Sequence, residues 1–456
     1  MVALPRSGSA RRYYRFFFNN GETLIGSYNP EIKENIAHYS FTQHFKKLGL
    51  PVPQIFEKDE SYQYFILEDL GDTTLLMLKE KKGLDAVLDF YLQALNDLLR
   101  FQIEGIQGLD LSKAHPAKQF NRRSILWDLN YFKYSFVKTN DIFFDENALE
   151  DEFESFTSLL LQADSSFFMY RDFQSRNIMV TKNRNRYIDF QGGRKGPLQY
   201  DVISLLYQAK AQLPEQTKKL LLNHYLHKLD EKLPGQKAKF LEHYPLFIYF
   251  RLMQVLGAYG FRGLFQHKPH FLQSIPYTIQ NLRHVLKQYP FPEQFKTIRS
   301  IFQQIEQLKN YDLPDKSQGK LVVSISSFSF KKTGYPFDAS EHGGGFVFDC
   351  RALPNPGRLQ ELKDFTGLDE PVVQYLETKE PVQSFLDHVY ALTENSINNY
   401  LERNFDYLSV NFGCTGGQHR SVYCAEKLKG HLQKKYGDDL KIHLKHIELE
   451  KRSDSI

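Results

Sequence analysis

The alternation of apolar and polar positions divides the chain into stretches of helical and strand-like periodicity. Residues 84–95 place apolar side chains three and four positions apart, which predicts a helix with one buried face. The aromatic run at 13–18 has the composition of a strand. Two short stretches, 166–169 and 186–188, each lead into an aspartate. We therefore expect these two aspartates near the ends of strands, where a loop can reach a ligand.

The pattern changes after a polar segment at 311–320 that contains Pro and Gly and is expected to be a linker. Downstream, strand-like runs lie at 321–328, 346–351 and 407–412. A stretch of helical periodicity follows at 422–436. Strands that alternate with helices are typical of a small α/β domain with a mainly parallel sheet. The sequence thus predicts a mixed α+β region up to residue 310 and an α/β domain over 321–456.

Composition narrows the classes of function. The 456 residues exceed the usual size of one core, so about three domains or lobes are expected. A net charge of +4 with 25% charged residues gives no global signal for nucleic-acid binding. Three irregularly spaced cysteines, Cys350, Cys414 and Cys424, favour a reducing compartment. Neither a signal peptide nor a bilayer-spanning run is recognisable, so a cytoplasmic protein without a membrane partner is expected.

The ends of the two short strands carry side chains that suit phosphoryl transfer. Asp172 is followed five residues later by Asn177, and Asp189 follows the next strand. This is the spacing of a kinase catalytic loop and its metal-binding aspartate. In such sites the first carboxylate orients the acceptor hydroxyl, while the amide and the second carboxylate hold Mg²⁺ on the phosphates of ATP. The alternative is that Asp172 and Asn177 form an ordinary turn and Asp189 caps a helix.

The amino-terminal end offers the other half of a nucleotide site. A turn of small residues precedes the strand-like run at 13–18, as in a loop whose backbone N–H groups cover phosphates. The segment 65–71 follows at the distance of a hinge that would bind an adenine edge through its backbone. An ordinary hairpin turn and an ordinary strand end are the alternatives. The expected nucleotide-contacting residues are Ser7, Gly8, Ser9, Arg11 and Glu68.

One element of a kinase nucleotide site is missing from its usual place. Protein kinases have a lysine in a strand soon after the Gly-rich loop, where it contacts the phosphates and pairs with a helical glutamate. The corresponding segment, 22–28, contains no lysine. The nearest cations are Lys33, Arg11 and Arg12, and Glu34 opens the next helix. Either one of these cations replaces the missing charge or the nucleotide is bound more weakly.

Residues 4–310 resemble the aminoglycoside phosphotransferase and choline kinase superfamily. The segments that carry the resemblance are 170–177, 188–191, 196–197 and 200–206. Within the superfamily the chain is most similar to the anomeric amino-sugar kinases of bacterial cell-wall recycling, which phosphorylate the C1 hydroxyl of N-acetylmuramic acid or N-acetylglucosamine. The resemblance implies a two-lobed protein-kinase-like domain, with an N-lobe over 1–70 and a C-lobe over 71–310, and ATP and Mg²⁺ as cofactors.

The resemblance also implies individual roles. Asp172 would be the base that orients the hydroxyl, and Asn177 and Asp189 would be the metal ligands. Asp201 would brace the catalytic loop without touching the substrate. The anomeric sugar kinases likewise lack an obvious lysine in the strand after the loop, so the gap is interpreted as a subfamily trait.

Residues 321–452 resemble the C-terminal domain of the RapZ family. The matching segments are 327–331, 349–351, 353–356, 366–369 and 413–423. In that family the domain binds a phosphorylated amino sugar and also acts in RNA binding, usually after a P-loop domain that this chain lacks. The resemblance implies a phosphate pocket lined by Cys414, Thr415, Gly416, Gly417, His419 and Arg420.

Two alternatives concern this second domain. Cys414 and Arg420 have the Cys-x5-Arg spacing of cysteine-dependent phosphatases, although Gly413 replaces the histidine that usually precedes the cysteine. The segment 427–452 is rich in Lys and Arg, as a surface that follows RNA phosphates would be. Acidic residues are interleaved with these cations, so a solvated helix face is the other interpretation.

The expected function is therefore a cytoplasmic, ATP- and Mg²⁺-dependent kinase of a small-molecule hydroxyl, with the anomeric hydroxyl of an amino sugar as the acceptor. The second domain is expected to sense a phosphorylated amino sugar. The alternatives are an RNA-binding regulatory adaptor with a vestigial kinase domain and a Cys-x5-Arg phosphatase. The expected partners are the sugar, the phosphorylated effector and RNA, and oligomerisation is left open.

Overall fold

The computed structural model describes residues 1–5, 10–308, 311, 320–336 and 345–453. The chain forms two compact units, Met1–Leu308 and Lys309–Ile456. Most of the predicted linker lies outside the described residues. Within the described part of the chain, none of the helices combines the length and the apolar character that a bilayer crossing needs.

The first unit begins with an antiparallel five-stranded sheet. Its strands are β1 (Val2–Ala3), β2 (Arg12–Phe17), β3 (Thr23–Tyr28), β4 (Ile55–Lys58) and β5 (Tyr64–Glu68), and helix α1 (Ile32–Lys47) lies between β3 and β4 in the chain. The strand order is β1-β2-β3-β5-β4. Apolar residues on one face of the sheet, including Ile25, Phe65 and Leu67, form a small core. Phe41 and Phe45 of α1 are fully buried.

The remainder of the first unit is mainly helical. Its helices are α2 (Leu75–Lys82), α3 (Leu88–Ile103), α4 (Arg122–Phe132), α5 (Glu146–Leu160), α6 (Gln199–Leu206), α7 (Glu215–Lys232), α8 (Gln236–Tyr259), α9 (Pro269–Leu272), α10 (Ile275–Gln288) and α11 (Lys296–Glu306). The helix predicted at 84–95 is shifted, because a 3₁₀ turn at Asp85–Val87 precedes α3. Its apolar face continues to Phe101, which is fully buried.

Two short antiparallel ladders carry the loops of interest. Strand β6 (Phe167–Met169) pairs with β9 (Arg194–Gly196), and β7 (Ile178–Thr181) pairs with β8 (Arg184–Tyr187). All three residues of β6 are buried and apolar. Asp172 follows β6 and Asp189 follows β8, which ends in the buried Tyr187, so each carboxylate lies just beyond a strand that is anchored in the protein.

The second unit is built on a four-stranded parallel sheet. Its strands are β10 (Leu321–Ser329), β11 (Gly345–Asp349), β12 (Tyr407–Cys414) and β13 (Leu440–His446), in the order β11-β12-β10-β13. Its helices are α12 (Glu370–Glu377), α13 (Glu380–Glu402), α14 (Arg420–Tyr436) and α15 (Ile447–Ser453). The predicted parallel α/β sheet is confirmed.

The sequence pattern did not single out β13. Its alternating Lys and His side chains suggested a basic surface rather than a strand, yet it pairs along β10 as an edge strand of the sheet. Charged residues are common on edge strands because one side of such a strand faces away from the sheet and discourages further pairing.

Candidate active site and candidate phosphate pocket

Asp201 in α6 holds the catalytic loop in place. Its carboxylate accepts the backbone N–H groups of Tyr170 and Arg171, both at 2.7 Å. The side chain is fully buried, and burial raises its pKa to about 7. The hydroxyl of Tyr170 donates to the carbonyl of Ile188 at 2.7 Å. These bonds tie the loop after β6 to the segment after β8, so the positions of the two aspartates depend on each other.

Both loops contain a residue with left-handed backbone. Arg171 has φ of 80° and Asp189 has φ of 71°. This conformation costs a residue other than glycine roughly 1–2 kcal/mol. It persists because the surrounding hydrogen bonds fix the loop, and such residues concentrate at functional sites.

Asn177 connects the two aspartate loops. Its Nδ2 donates to the carbonyl oxygen of Asp172 at 2.9 Å and to Oδ2 of Asp189 at 3.1 Å. Gln191 Nε2 donates to the other carboxylate oxygen of Asp189 at 2.8 Å. Burial and the charge of Asp172 raise the pKa of Asp189. The structure therefore brings Asp172, Asn177 and Asp189 together in one cluster.

The donors in this cluster fit a magnesium ion. The Oδ1 atom of Asn177 and the carboxylate of Asp189 are hard oxygen donors, and Mg²⁺ is usually bound by one or two carboxylates together with substrate phosphates. Asp172 and Asp189 repel each other, as the raised pKa of Asp189 indicates. A divalent cation would offset that repulsion, and the chemistry it would supply is neutralisation of charge on the nucleotide phosphates.

Arg11 is the cation that pairs with the glutamate of α1. Its side chain is buried, and Nη2 donates to Oε1 of Glu34 in α1 at 2.9 Å. Arg12 and Lys33 are both exposed, and the ion pair of Glu34 is with Arg11. Of the three cations that the sequence offered, Arg11 is therefore the one positioned as the partner of the helical glutamate.

Glu34 also links Arg11 to the metal-binding side of the cluster. Gln191 Nε2 donates to Oε1 of Glu34 at 3.1 Å and contacts Asp189 as well. Asn29 Nδ2 donates to the second oxygen, Oε2, at 3.1 Å. Arg11, Glu34, Gln191 and Asp189 thus form a continuous polar network between the sheet lobe and the loop after β8. Sequence reasoning missed Gln191, although it is part of the segment 188–191.

The other predicted nucleotide residues are placed differently. Ser7, Gly8 and Ser9 lie outside the described residues. The Glu68 carboxylate pairs with Arg186 of β8 at 2.9 and 2.6 Å. The backbone N–H of Glu68 donates to the carbonyl of Gln54.

The carboxylate and the backbone N–H of Glu68 therefore both hold β5 in place. Contact between the hinge backbone and adenine stays a prediction.

Two further polar residues near Asp172 were not singled out from the sequence. Asp128 in α4 lies 3.3 and 3.4 Å from Nη2 of Arg171. Arg194 in β9 donates from Nε and Nη2 to the carbonyl of Gly192, at 3.2 and 3.1 Å. Neither residue has a local sequence signal, since each reaches the catalytic loop only through the tertiary fold.

The second unit has a cleft of about 410 Å³ at the carboxyl end of β12. Most of the predicted phosphate-pocket residues line it, namely Cys414, Thr415, Gly416, His419 and Arg420. Gly417 instead donates its N–H to the Cys414 sulfur at 3.2 Å, and its φ of 67° makes glycine the favoured residue there. Asn355 and Lys363 line the cleft as well.

Several polar groups of this cleft form hydrogen bonds with other parts of the protein. Arg420 Nη1 donates to the carbonyls of Arg351 and Leu353, at 2.7 and 3.0 Å. The His419 ring contacts the carbonyl of Leu362, and burial lowers its pKa, so the ring is neutral near pH 7. The Cys414 sulfur is buried, 3.1 Å from the Ser421 hydroxyl. This arrangement is compatible both with a loop that binds phosphate and with a loop that carries a nucleophilic cysteine.

The two units match two described families. Residues 27–234 match the Phosphotransferase enzyme family, and residues 321–450 match the RapZ C-terminal domain. A nucleotide-binding protein of Methylobacillus flagellatus is 40% identical over 135 residues, which are 30% of this chain and 45% of that protein. A nucleotide-binding protein of Acinetobacter baylyi is 35% identical over 173 residues, which are 37% of this chain and 59% of that protein. The chain thus spans about half the length of these curated relatives.

Solved structures with a similar arrangement include an ethanolamine kinase of Plasmodium vivax, with 14% identity, a TM-score of 0.44, and coverage of 61% of this chain and 80% of that one. An amicoumacin kinase in complex with AMP-PNP, Ca²⁺ and Ami has 12% identity, a TM-score of 0.42, and coverage of 69% of this chain and 90% of that one. The first unit therefore carries a match to the Phosphotransferase enzyme family, and the second unit carries a match to the RapZ C-terminal domain.

Proposed function

We propose that the first unit is an ATP- and Mg²⁺-dependent kinase that transfers phosphate to a small-molecule hydroxyl, with the anomeric hydroxyl of an amino sugar as the acceptor. The observation that carries this proposal is the amide of Asn177, which donates to the backbone carbonyl of Asp172 and to the carboxylate of Asp189 and so ties the loop of the expected base to the expected metal ligand. The match of residues 27–234 to the Phosphotransferase enzyme family supports the same reaction type.

Each residue of the cluster has a separate role in the proposed phosphoryl transfer. Asp172 orients the acceptor hydroxyl and accepts its hydrogen bond as the oxygen attacks phosphorus. Asn177 and Asp189 would hold a magnesium ion, which would supply neutralisation of charge on the phosphates. Arg11, fixed by Glu34, adds a positive charge where a kinase lysine would stand. Asp201 keeps the catalytic loop in its strained conformation, which pre-organises Asp172 before substrate binds.

The test is phosphate transfer from labelled ATP to a panel of amino sugars, with an Asp172→Asn variant. Asn has nearly the same shape as Asp but does not accept a proton, so we expect transfer to fall by about 10²- to 10⁴-fold. Asp230→Asn, an exposed change on α7, is the matched control and should retain the wild-type rate. Undiminished transfer by Asp172→Asn would refute the assignment.

For the second unit, we infer that the cleft at the end of β12 binds the phosphate of an amino-sugar phosphate. The loop before α14 presents backbone N–H groups at a helix amino terminus, where anions bind favourably, and the match to the RapZ C-terminal domain supports this ligand class. Calorimetric titration of the intact protein with amino-sugar phosphates should release heat that Gly416→Glu abolishes. Absence of heat with the wild-type protein would refute the inference.

A phosphatase is the second candidate for this cleft, because the Cys414 sulfur receives the N–H of Gly417 and lies beside the Ser421 hydroxyl. Such donors stabilise a thiolate. Release of inorganic phosphate that stops in Cys414→Ser would favour this candidate, whereas heat without release would favour binding alone. RNA binding and a cytoplasmic location stay predictions.

A further inference from the structure

Gln191 bridges two carboxylates that come from distant parts of the first unit. Its Nε2 atom donates to Oε1 of Glu34 at 3.1 Å and to Oδ1 of Asp189 at 2.8 Å. Glu34 lies in α1, which follows the strands β2 and β3, whereas Asp189 follows β8. A carboxamide nitrogen carries two N–H groups, so each carboxylate can receive one of them. A single side chain therefore links α1 to the expected metal ligand.

The remaining oxygen of each carboxylate accepts from another amide. Asn177 Nδ2 donates to Oδ2 of Asp189, and Asn29 Nδ2 donates to Oε2 of Glu34, both at 3.1 Å. Neither carboxylate can turn without losing a hydrogen bond. Hydrogen bonds to a metal-ligating carboxylate orient it for its metal, and their loss weakens metal binding. Gln191 supplies one of the bonds that orient Asp189 and one of those that orient Glu34.

The carbonyl end of the Gln191 amide has no partner. The residue is 5% exposed, and its Oε1 atom is buried without a hydrogen-bond partner among the described residues. Turning the amide around would place this oxygen against two carboxylate oxygens, so the nitrogen must face them. A buried carbonyl without a donor destabilises the folded state. A side chain that served packing alone would not need these polar atoms, so the bridge points to a role in the site.

The segment around Gln191 is also packed on α1 by apolar contacts. The ring centroid of Phe190, its neighbour in the chain, lies 5.4 Å from that of Phe45 and 5.6 Å from that of His38. Phe190 and Phe45 are fully buried. These contacts do not involve the Gln191 amide. We therefore expect the segment to keep its place when the amide is replaced by an apolar group of similar length.

We propose that Gln191 is a positioning residue that couples binding of a divalent cation at Asp189 to binding of the nucleotide at Arg11. The path has three contacts: Asp189 to Gln191 at 2.8 Å, Gln191 to Glu34 at 3.1 Å and Glu34 to Arg11 at 2.9 Å. A cation that fixes Asp189 also fixes Glu34 through this path, and Glu34 holds Arg11. Cation and nucleotide therefore strengthen each other's binding by the same factor. This proposal rests on the proposed kinase function, and it states how the cation side and the nucleotide side of the site are linked.

The first test measures binding of AMP-PNP, a non-hydrolysable ATP analogue, to the intact protein with and without Mg²⁺. The ratio of the two dissociation constants reports the coupling. Gln191→Met keeps an unbranched side chain of similar length but removes both hydrogen bonds, and we expect this ratio to shrink by about fivefold or more relative to wild type. Gln107→Met, an exposed change, is the matched control and should keep the wild-type ratio. Equal weakening with and without Mg²⁺ would leave the ratio unchanged, which means a merely structural role and overturns the proposal.

A double-mutant cycle tests the path itself. Glu34→Met breaks the same path at its next contact, so it should lower the ratio by a similar factor. The variant that combines Gln191→Met with Glu34→Met should lower it no further. Reductions that multiply in the double variant would show that the two residues act independently and would contradict the path. If Gln191→Met does not fold, Glu34→Met decides the question, because a wild-type ratio in that variant contradicts the proposal.

Failure of this proposal can be told apart from failure of the kinase function. Phosphate transfer by the wild-type protein, with a wild-type ratio in Gln191→Met, would leave the kinase intact and remove the coupling. A ratio that is sensitive to Gln191→Met, in a protein that transfers phosphate to no acceptor, would retain the coupling and refute the kinase. Absence of AMP-PNP binding in the presence of Mg²⁺ would refute both.

Discussion

At the scale of single residues, the candidate site differs from the kinase pattern in the chain position of one cation. Arg11 pairs with Glu34 just before β2, whereas protein kinases use a lysine on a later strand. Its guanidinium also donates to the Tyr13 hydroxyl at 3.3 Å, so the charge is held beside Glu34. We infer that this charge serves the nucleotide phosphates in place of the missing lysine.

Replacing Arg11 tests this role. Arg11→Met keeps an unbranched side chain but removes the charge, and we expect kcat/KM for ATP to fall by about 10²-fold, the usual scale for losing one charge-stabilising donor. Arg12→Met, its exposed neighbour in the chain, is the matched control and should change kcat/KM little. Steady-state kinetics with varied ATP measures both. Equal effects of the two changes would assign the nucleotide cation elsewhere.

His38 gives the first unit a dependence on pH. It is buried against Phe65 and Phe190, and burial together with the charge of Arg11 lowers its pKa from 6.5 to about 3. The unfolded chain then binds the proton more tightly, so this contribution to stability is complete above pH 6.5 and is lost as the pH falls towards 3.

We expect the free energy of unfolding to fall between about pH 6.5 and 5 by up to ~1.4 kcal/mol per pH unit from this group. His38→Phe removes the titrating ring and should show a shallower decline. Urea unfolding at several pH values, followed for each protein, measures the difference in slope. Parallel curves for the two proteins would contradict this assignment.

At the scale of elements, the packing of α4 on α8 positions Asp128, which contacts Arg171 of the catalytic loop. A Cβ atom at Gly257 would lie 2.7 Å from the backbone nitrogen of Phe132, and one at Gly260 would lie 2.2 Å from the carbonyl oxygen of Ser135. The two helices therefore approach to backbone contact, and no side chain can yield to make space. This contact helps to determine where α4 places Asp128.

Gly257→Ala should consequently destabilise the first unit by about 1–3 kcal/mol and lower phosphate transfer, because the added methyl must push the two helix backbones apart. Gly430→Ala in the interior of α14 is the matched control, since nothing lies within 4 Å of the added atom. That change should stabilise its helix by about 0.5–1 kcal/mol. Thermal unfolding with an activity assay measures both. If Gly257→Ala left both stability and phosphate transfer unchanged, the two helices would be able to separate freely at this contact.

At the scale of the whole molecule, the chain carries two units with separate cores. The second unit has its own apolar cluster, built from residues of the parallel sheet and its helices. An effect of a phosphorylated sugar on the kinase would require a coupling free energy between two sites, with different affinities in two states.

A fragment of residues 1–308 separates coupling from simple product inhibition. If the second unit is the sensor, an amino-sugar phosphate should change the phosphate-transfer rate of the intact protein by a factor of about 5 or more and leave the fragment unaffected. Initial rates at fixed ATP and acceptor measure the effect. The same change in both proteins would place the effector at the kinase site instead.

The local pattern was sufficient for the parallel sheet of the second unit and for the aspartate loops of the first, because these depend on runs of apolar residues and on short spacings. The local pattern was not sufficient for β13, because its Lys and His side chains are typical of a basic surface. Only its pairing with β10 in the structure identifies it as a strand. Nor could the local pattern choose among Arg11, Arg12 and Lys33: Lys33 is the neighbour of Glu34 in the chain, yet the buried Arg11 forms the ion pair.

What the sequence by itself determined is the chemistry that is contiguous along the chain: Asp172 and Asn177 on one loop, Asp189 on the next, and the glycine-rich turn that follows β12. Only the tertiary structure decided which distant groups meet that chemistry. Arg194 and Asp128 reach the catalytic loop through strand pairing and helix packing. The physical reason is that charge and burial act through space, whereas a sequence motif records only neighbours along the backbone.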